Sequence, residues 1–482
     1  MRRALYVFLA AVLVAIPATA SARKQQPPVV VAADPSGSFE LVGHEPLLFR
    51  GMNAAIAVHG DYAYVGSRTD GLHPNSGVAI VDISDPSSPT RVGQIGPPNE
   101  GNVGETSREM RIWPEKNLLI VLNLASNCSF IIHACSPTQL VGQDNYRFYD
   151  ISGDKAAAPE LVATYEPSIN PHEFYLWQDP KDSDRALIFQ STPSGPQDKQ
   201  MLVTDISGAA DGKFEELGTW GTVIPDPSTD NRLHSLAVSP DGTKGYISYL
   251  GGGFLMIDTS DFAKGVAKPK ADLITPVQDR VTWGDPGVHS AVPFPGRDYV
   301  WTTDEVYGEI PVLLAGHGCP WGWSRVVDVK NPRKPKVLAE YKLPQNTEEF
   351  CSSQTDNDPV RNATSSWAAH NPTLTRNLAI LTWHSGGLQA VDISKPGAPA
   401  QAAEFKPEPL PVVTQEDPAL SSGRDKVVMW SYPVIKDGLI YVSDVRNGFF
   451  ILRYKGPFEK EVSSIDFLEG NSNLGDALKI FK

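Results

Sequence analysis

Val78-Ala79-Ile80-Val81-Asp82-Ile83-Ser84-Asp85-Pro86 is an apolar, largely β-branched run closed by an acidic turn. Residues of the first kind favour a strand, and Asp, Ser and Pro in close order favour a turn. The phrase returns as Tyr146-Arg147-Phe148-Tyr149-Asp150-Ile151-Ser152, as Met201-Leu202-Val203-Thr204-Asp205-Ile206-Ser207 and as Leu255-Met256-Ile257-Asp258-Thr259-Ser260. It follows again in Ser324–Val329 and Leu388–Ser394, and in degenerate form in Phe449–Tyr454. Its Asp stands at Asp82, Asp150, Asp205, Asp258, Asp328 and Asp392. Self-similarity at intervals of roughly 50–70 residues marks a repeat architecture rather than one large core.

Each copy has company. Upstream lies a pair of apolar runs, such as His234–Val238 and Gly245–Tyr249, joined by the turn Ser239-Pro240-Asp241-Gly242. Downstream lies a short fourth run, such as Thr90–Ile95 or Lys336–Tyr341. Four antiparallel strands per repeat is the pattern of a propeller blade, so the chain reads as an all-β, seven-bladed β-propeller over residues 37–455. The last repeat supplies Val427–Val434, Leu439–Asp444 and Phe449–Tyr454 but no fourth run. Phe39–Pro46 has the fourth-run pattern of Glu160–Pro167, so an N-terminal strand is expected to complete the last blade and close the ring. The repeated Asp is expected to accept backbone N–H groups in the turn after the third strand.

The phrases Gly77–Pro86, with Tyr64-Val65 upstream, and Gly387–Ser394 resemble the LVIVD-repeat family of β-propellers. The likeness extends over roughly residues 38–455. It implies the fold and says little about activity.

The flanks are of another character. Arg2-Arg3, the apolar run Ala4–Ile16 and Ala20-Ser21-Ala22 read as a signal peptide, residues 1–22, cleaved before Arg23. Residues 23–36 then read as a flexible mature N-terminus, and 456–482 as a C-terminal tail outside the ring, either packed on a face or mobile. A secreted or periplasmic location follows as an expectation, without stable membrane insertion. The formal charge of −14 repels phosphate backbones, so nucleic acid is not an expected partner. Four cysteines in an exported chain allow three pairings, and proximity favours Cys128–Cys135 and Cys319–Cys351. Asn127-Cys128-Ser129 and Asn362-Ala363-Thr364 match the N-glycosylation pattern.

Insertions gather on one face. In a propeller the first strand of each blade runs nearest the axis, and its start shares a face with the end of the second strand. Asn127–Gln143, Gly308–Gly322 and Gln345–Ser365 all fall on that face, where a small molecule or a protein or cell-surface partner would meet the loops. The same face carries a series of histidines. His172, His234, His289 and His370 occupy one slot at the start of four consecutive first strands. Arg108 holds that slot in the second blade, Trp430 in the last and Ala54 in the first. Glu109 and Glu173 follow the slot, and Asp304, Glu305, His384, Asp444 and Arg446 lie near second-strand ends. These residues are the candidate ligand-binding set, with the four slot histidines as candidate metal ligands. Imidazole suits Fe, Cu or Zn, which makes one transition metal the candidate cofactor.

The same repetition also follows from duplication, with each His bonded to a neighbouring blade's backbone. Arg108 favours an anionic ligand or a salt bridge with Glu109 or Glu173. Carotenoid-cleaving oxygenases and selenium-binding, methanethiol-oxidase-type proteins are also propellers with axial histidines. This chain is similar to them in architecture, without their sequence motifs. No nucleophile elbow, P-loop or dinucleotide fingerprint is present in the sequence. The functional expectation is a binding or interaction scaffold with a His-rich channel mouth. The alternative is a metal-dependent oxidoreductase or lyase. A carboxylate–histidine hydrolase, using Glu173 with His172 or Asp304 with His384, is a weaker third.

Overall fold

A computed structural model of the chain describes residues 26–68, 75–96, 106–124, 144–225, 231–283, 287–305, 319–353, 366–417, 420–421 and 425–481. The expected signal peptide and the Cys128–Cys135 pair lie outside the described residues.

Seven antiparallel sheets follow one another in chain order. Blade one is Asn53–His59, Tyr62–Ser67, Val78–Asp82 and Thr90–Ile95, paired in sequence. Blades two to six repeat this order, beginning at Thr106, Phe174, Ser235, Ser290 and Pro372. Blade seven takes Val434–Lys436, Leu439–Asp444 and Gly448–Lys455 from the C-terminal end of the ring, and its fourth strand is Ser38–Glu45. That strand runs antiparallel to Gly448–Lys455, with Phe39 opposite Tyr454 and His44 opposite Phe450. The ring is closed as its sequence pattern predicts. The first strand of this blade starts later than expected, at Val434 rather than Val427. Pro433 has no N–H to give a ladder, and Met429 makes only single bridges, to His384 and Asp444.

Alternation along the strands builds the cores between blades. Ile56, Ala63, Val65, Ala79 and Val81 of blade one pack with Val434, Tyr441 and Ile451 of blade seven. The repeated Asp does structural work: Asp82, Asp150, Asp205, Asp258 and Asp392 each accept the backbone N–H two residues on, at 2.8–2.9 Å. Cys319 and Cys351 form a disulfide between blades five and six.

The two flanks are both ordered against the ring. Val29–Val31, within the segment expected to be flexible, adds a parallel strand to the outer edge of blade five, with Val30 opposite Tyr341. Three consecutive valines meet an otherwise unpaired sheet edge there. The tail takes the packed alternative and lies across the axial strands. Phe467–Glu469 pairs with Val434–Lys436, the axial strand of blade seven. The chain then crosses to blade three, where Asn471 donates to the Phe174 carbonyl at 2.8 Å and Asn473 to Gln178 at 2.8 Å. Leu468, Leu474 and Ala477 are buried. The axial strands have inner edges with no further blade strand to pair, and the tail supplies their hydrogen bonds. No helix among the described residues is long and apolar enough to cross a membrane.

Candidate functional site

One backbone hydrogen bond sets the slot in four blades. The N–H of His172 donates to Ser191, of His234 to Ser248, of His289 to Thr303 and of His370 to Thr382, at 2.8–2.9 Å. Each acceptor ends, or nearly ends, the second strand of its blade. The residue one or two positions before each first strand is thereby held at the channel mouth with its side chain toward the axis.

The side chains form a closed circuit. Ring centroids are 4.3 Å apart for His172 and His234, 4.2 Å for His234 and His289, and 4.3 Å for His289 and His370. Trp430 stacks on His370 at 5.1 Å, and the Arg108 guanidinium lies 5.6 Å from the Trp430 ring. Arg108 Nη2 returns to His172 Nε2 at 3.1 Å. The order Arg108, His172, His234, His289, His370, Trp430 is the slot order of the sequence, and Ala54 of blade one packs with Trp430.

His384 and Glu305, from second-strand ends, complete the constellation. His370 and His384 have ring centroids 5.0 Å apart. Glu305 Oε1 lies 3.1 Å from His370 Nε2 and 3.4 Å from His384 Nε2, and Oε2 lies 3.3 Å from His289 Nε2. These three imidazoles are fully buried, and the Glu305 side chain is 5% exposed. Their other nitrogens are held by the protein. His289 Nδ1 meets Ser290 Oγ at 2.8 Å, His370 Nδ1 meets the Trp430 carbonyl at 2.5 Å, and His384 Nδ1 meets Ser366 Oγ at 3.0 Å. The Trp430 carbonyl can only accept, so His370 donates Nδ1–H and keeps Nε2 as a lone-pair donor aimed at the axis, while the Ser290 and Ser366 hydroxyls are able to accept from His289 and His384 in the same way. The backbone anchoring expected from duplication is therefore present at His370, and it leaves the opposite nitrogen available.

The donors fall into three overlapping groups: His172, Glu173 and His234; His234, His289 and Glu305; and Glu305, His370 and His384. Within each group the ligand atoms lie within 4.8 Å of one another. A tetrahedral centre with bonds of about 2.0–2.1 Å has donor–donor edges of roughly 3.3–3.4 Å. The three Glu305–imidazole distances are close to that edge. His289 Nε2, His370 Nε2, Glu305 Oε1 and both Glu173 carboxylate oxygens are buried without a well-angled hydrogen bond among the described residues.

Burial, then the neighbouring Arg108, holds His172 well below the usual imidazole range. Burial followed by His289 does the same to His234, and burial followed by His370 to His289. Burial also lowers His384, against the pull of Glu305. Burial acts to raise Glu305, and the facing His370 and His289 reverse it, leaving Glu305 well below the carboxylate range. Glu173 is raised by burial and then by Glu109.

Other sequence candidates have structural employment instead. Asp304 pairs with Arg325 and accepts from Trp283 Nε1 at 3.2 Å; burial, against Arg325, pushes it up to about 6. Asp444 accepts the N–H groups of Val428, Arg446 and Asn447 at 2.8–2.9 Å. Arg446 is bound to Glu416 at 2.9 Å and to the Leu410 carbonyl at 2.6 Å. Glu109 pairs with Arg111 at 3.2 Å, further along the axial strand. Arg111 Nε also donates to the Asn471 carbonyl of the tail at 3.3 Å and lies 3.9 Å from Glu469. Arg108 has no ion pair with Glu109 or Glu173. Sequence reasoning missed Arg68, which packs 5.1 Å from the Trp430 ring and pairs with Asp417 at 3.3 Å. Its place after a second strand, equivalent to that of Glu305, was the signal.

Residues 50–95 match the LVIVD repeat model. No curated protein matches the chain. Among solved structures, Sqt1 from Chaetomium thermophilum is 11% identical with a TM-score of 0.46, over 87% of this chain and 98% of that one. Sqt1 bound to the N-terminus of ribosomal protein L10 is 12% identical with a TM-score of 0.43, over 86% of this chain and 89% of that one. An ancestral GH74 enzyme is 13% identical with a TM-score of 0.48, over 85% of this chain and 48% of that one. Likenesses this distant carry no argument about function.

Proposed function

We propose that this propeller with its LVIVD repeat is an exported, metal-dependent oxidoreductase or lyase that holds a first-row transition metal ion at its axial mouth. The observation that carries the reading is the arrangement around Glu305. Three buried imidazoles, each tied at Nδ1, present Nε2 within 3.1–3.4 Å of one carboxylate. Neutral imidazoles with a carboxylate suit Fe, Cu or Zn. Nδ1 partners that orient the rings are a regular feature of such sites. Glu305, His370 and His384 would hold the ion, or Glu305 with His289 and His234, and it would supply Lewis-acid or redox chemistry to a small molecule entering from the mouth. His172 and His234, with Nε2 atoms 2.9 Å apart, form a hydrogen-bonded pair beside that centre. The tail packed along the axial strands favours approach from the face that carries the histidines.

Untagged full-length protein, repleted and then freed of loose metal, should retain about one metal ion per chain by elemental analysis. His289→Ala/His370→Ala should retain almost none while keeping its β-sheet circular dichroism. Less than about 0.1 ion per chain in the parent protein, or full retention in the double variant, would sink the reading. Export is tested separately. N-terminal sequencing of the protein recovered outside the cytoplasm should begin at Arg23, and an intact Met1 in that fraction would refute a cleaved leader.

A further inference from the structure

We infer that Arg108 and Trp430 form an oxyanion subsite at the end of the histidine arc, so that the molecule taken by the mouth is a small organic anion. The inference rests on the metal reading only for what lies beside the subsite. Arg108 is 7% exposed. Its Nε is buried with no hydrogen-bond partner among the described residues. Among the described residues no carboxylate forms an ion pair with it: Glu109 is committed to Arg111 at 3.2 Å, and Glu173 acts on it only through its field, its own carboxyl raised by burial. The polar contact Arg108 does make is from Nη2 to His172 Nε2, at 3.1 Å. Trp430 Nε1 is likewise buried without an acceptor among the described residues. Arg68, on the same tryptophan, makes the contrast plain, because Asp417 answers its charge at 3.3 Å.

A guanidinium removed from water needs a counter-charge, and an unanswered one is strongly unfavourable. A planar oxyanion satisfies the guanidinium fork, and the indole N–H adds a neutral donor. An anion seated on Arg108 would lie beside His172, the first imidazole of the arc. The rest of the molecule would then reach toward the Nε2 atoms around Glu305. That places an acidic group of the substrate at Arg108 and its reacting group at the axis.

The test uses the full chain with acetate and inorganic phosphate as probes, at constant ionic strength in chloride, with and without added Zn²⁺. Calorimetry or chemical-shift titration should show saturable binding of at least one probe. Arg108→Gln should weaken it about tenfold or more, the size of one charge-assisted hydrogen bond. Arg108→Lys should lose less, and Trp430→Phe, which keeps the ring and removes the N–H, should weaken binding a few-fold. Melting curves establish that each variant is folded, and Arg108→Lys serves if Arg108→Gln is not. The inference is overturned if neither anion binds the parent protein, or if Arg108→Gln and Arg108→Lys both bind as the parent does. Arg108-dependent anion binding in a chain that retains no metal would defeat the metal reading and leave this one standing. Metal retention with anion binding indifferent to Arg108 would do the reverse.

Discussion

Glu305→Ala is expected to lower metal affinity by at least about 100-fold, the upper end of what loss of an outer-sphere partner costs and a lower bound for a direct ligand. Glu305 belongs to two of the three donor groups and faces His289, His370 and His384 at 3.1–3.4 Å. Removing it takes away the anionic donor and leaves the histidines without a common neighbour. Glu305→Gln keeps the shape and one acceptor oxygen, so it should lose affinity while retaining the parent's circular dichroism. Competition with a chromophoric chelator reads the effect directly. Equal affinity in Glu305→Ala and the parent would move the metal away from this end of the arc, toward His172, Glu173 and His234.

The second large effect concerns stability. Arg111→Met should destabilise the fold by about 3–5 kcal/mol, the usual cost of breaking one side of a buried ion pair. Arg111 is fully buried, pairs with Glu109 at 3.2 Å and lies 3.9 Å from Glu469, so the variant strands two buried carboxylates. It also removes the donor to the Asn471 carbonyl and so loosens the tail from blade two. Glu469 is already raised above the usual carboxylate range by burial, with Arg111 opposing. For an acid raised in the folded state, stability is full below its unfolded value and is lost as pH rises through the folded one. Without Arg111 the folded value climbs further, so the defect should be larger at pH 8 than at pH 5. Urea unfolding at the two pH values measures it. Arg111→Met/Glu469→Gln should recover part of the loss. A deficit under about 1 kcal/mol, or one equal at both pH values, would contradict the account.

The ring was legible because its signal is local and repeated. A strand phrase ending in Asp recurs with the turn chemistry that each Asp serves, and Phe39–Glu45 carries the fourth-strand pattern that the last repeat lacks. The histidine slot was legible for the same reason: equivalent positions in equivalent blades receive the same backbone bond and face the same axis. The neighbours at second-strand ends were only half legible. Asp304 and Glu305 are adjacent in sequence, and adjacent residues of extended chain point to opposite sides. Asp304 turns into the blade toward Arg325, and Glu305 turns to the axis among the imidazoles. Composition gives both the same weight. Asp444 and Arg446 share the mouth by position, but backbone donors and Glu416 claim their charges.

By itself, then, the sequence determined the blade count, the closing strand and the circuit Arg108, His172, His234, His289, His370, Trp430, because each depends on repeat register alone. The tertiary structure decided three things that register does not contain. It put the Glu305 carboxylate among three Nε2 atoms, because strand alternation, not identity, sets which acid faces the axis. It left Arg108 without an ion pair among the described residues, because Arg111 draws Glu109 away and Glu173 acts on it only through its field. It brought the tail into the ring, because unpaired axial strand edges accept whatever chain can satisfy their hydrogen bonds, and Phe467–Glu469 is near enough to do so.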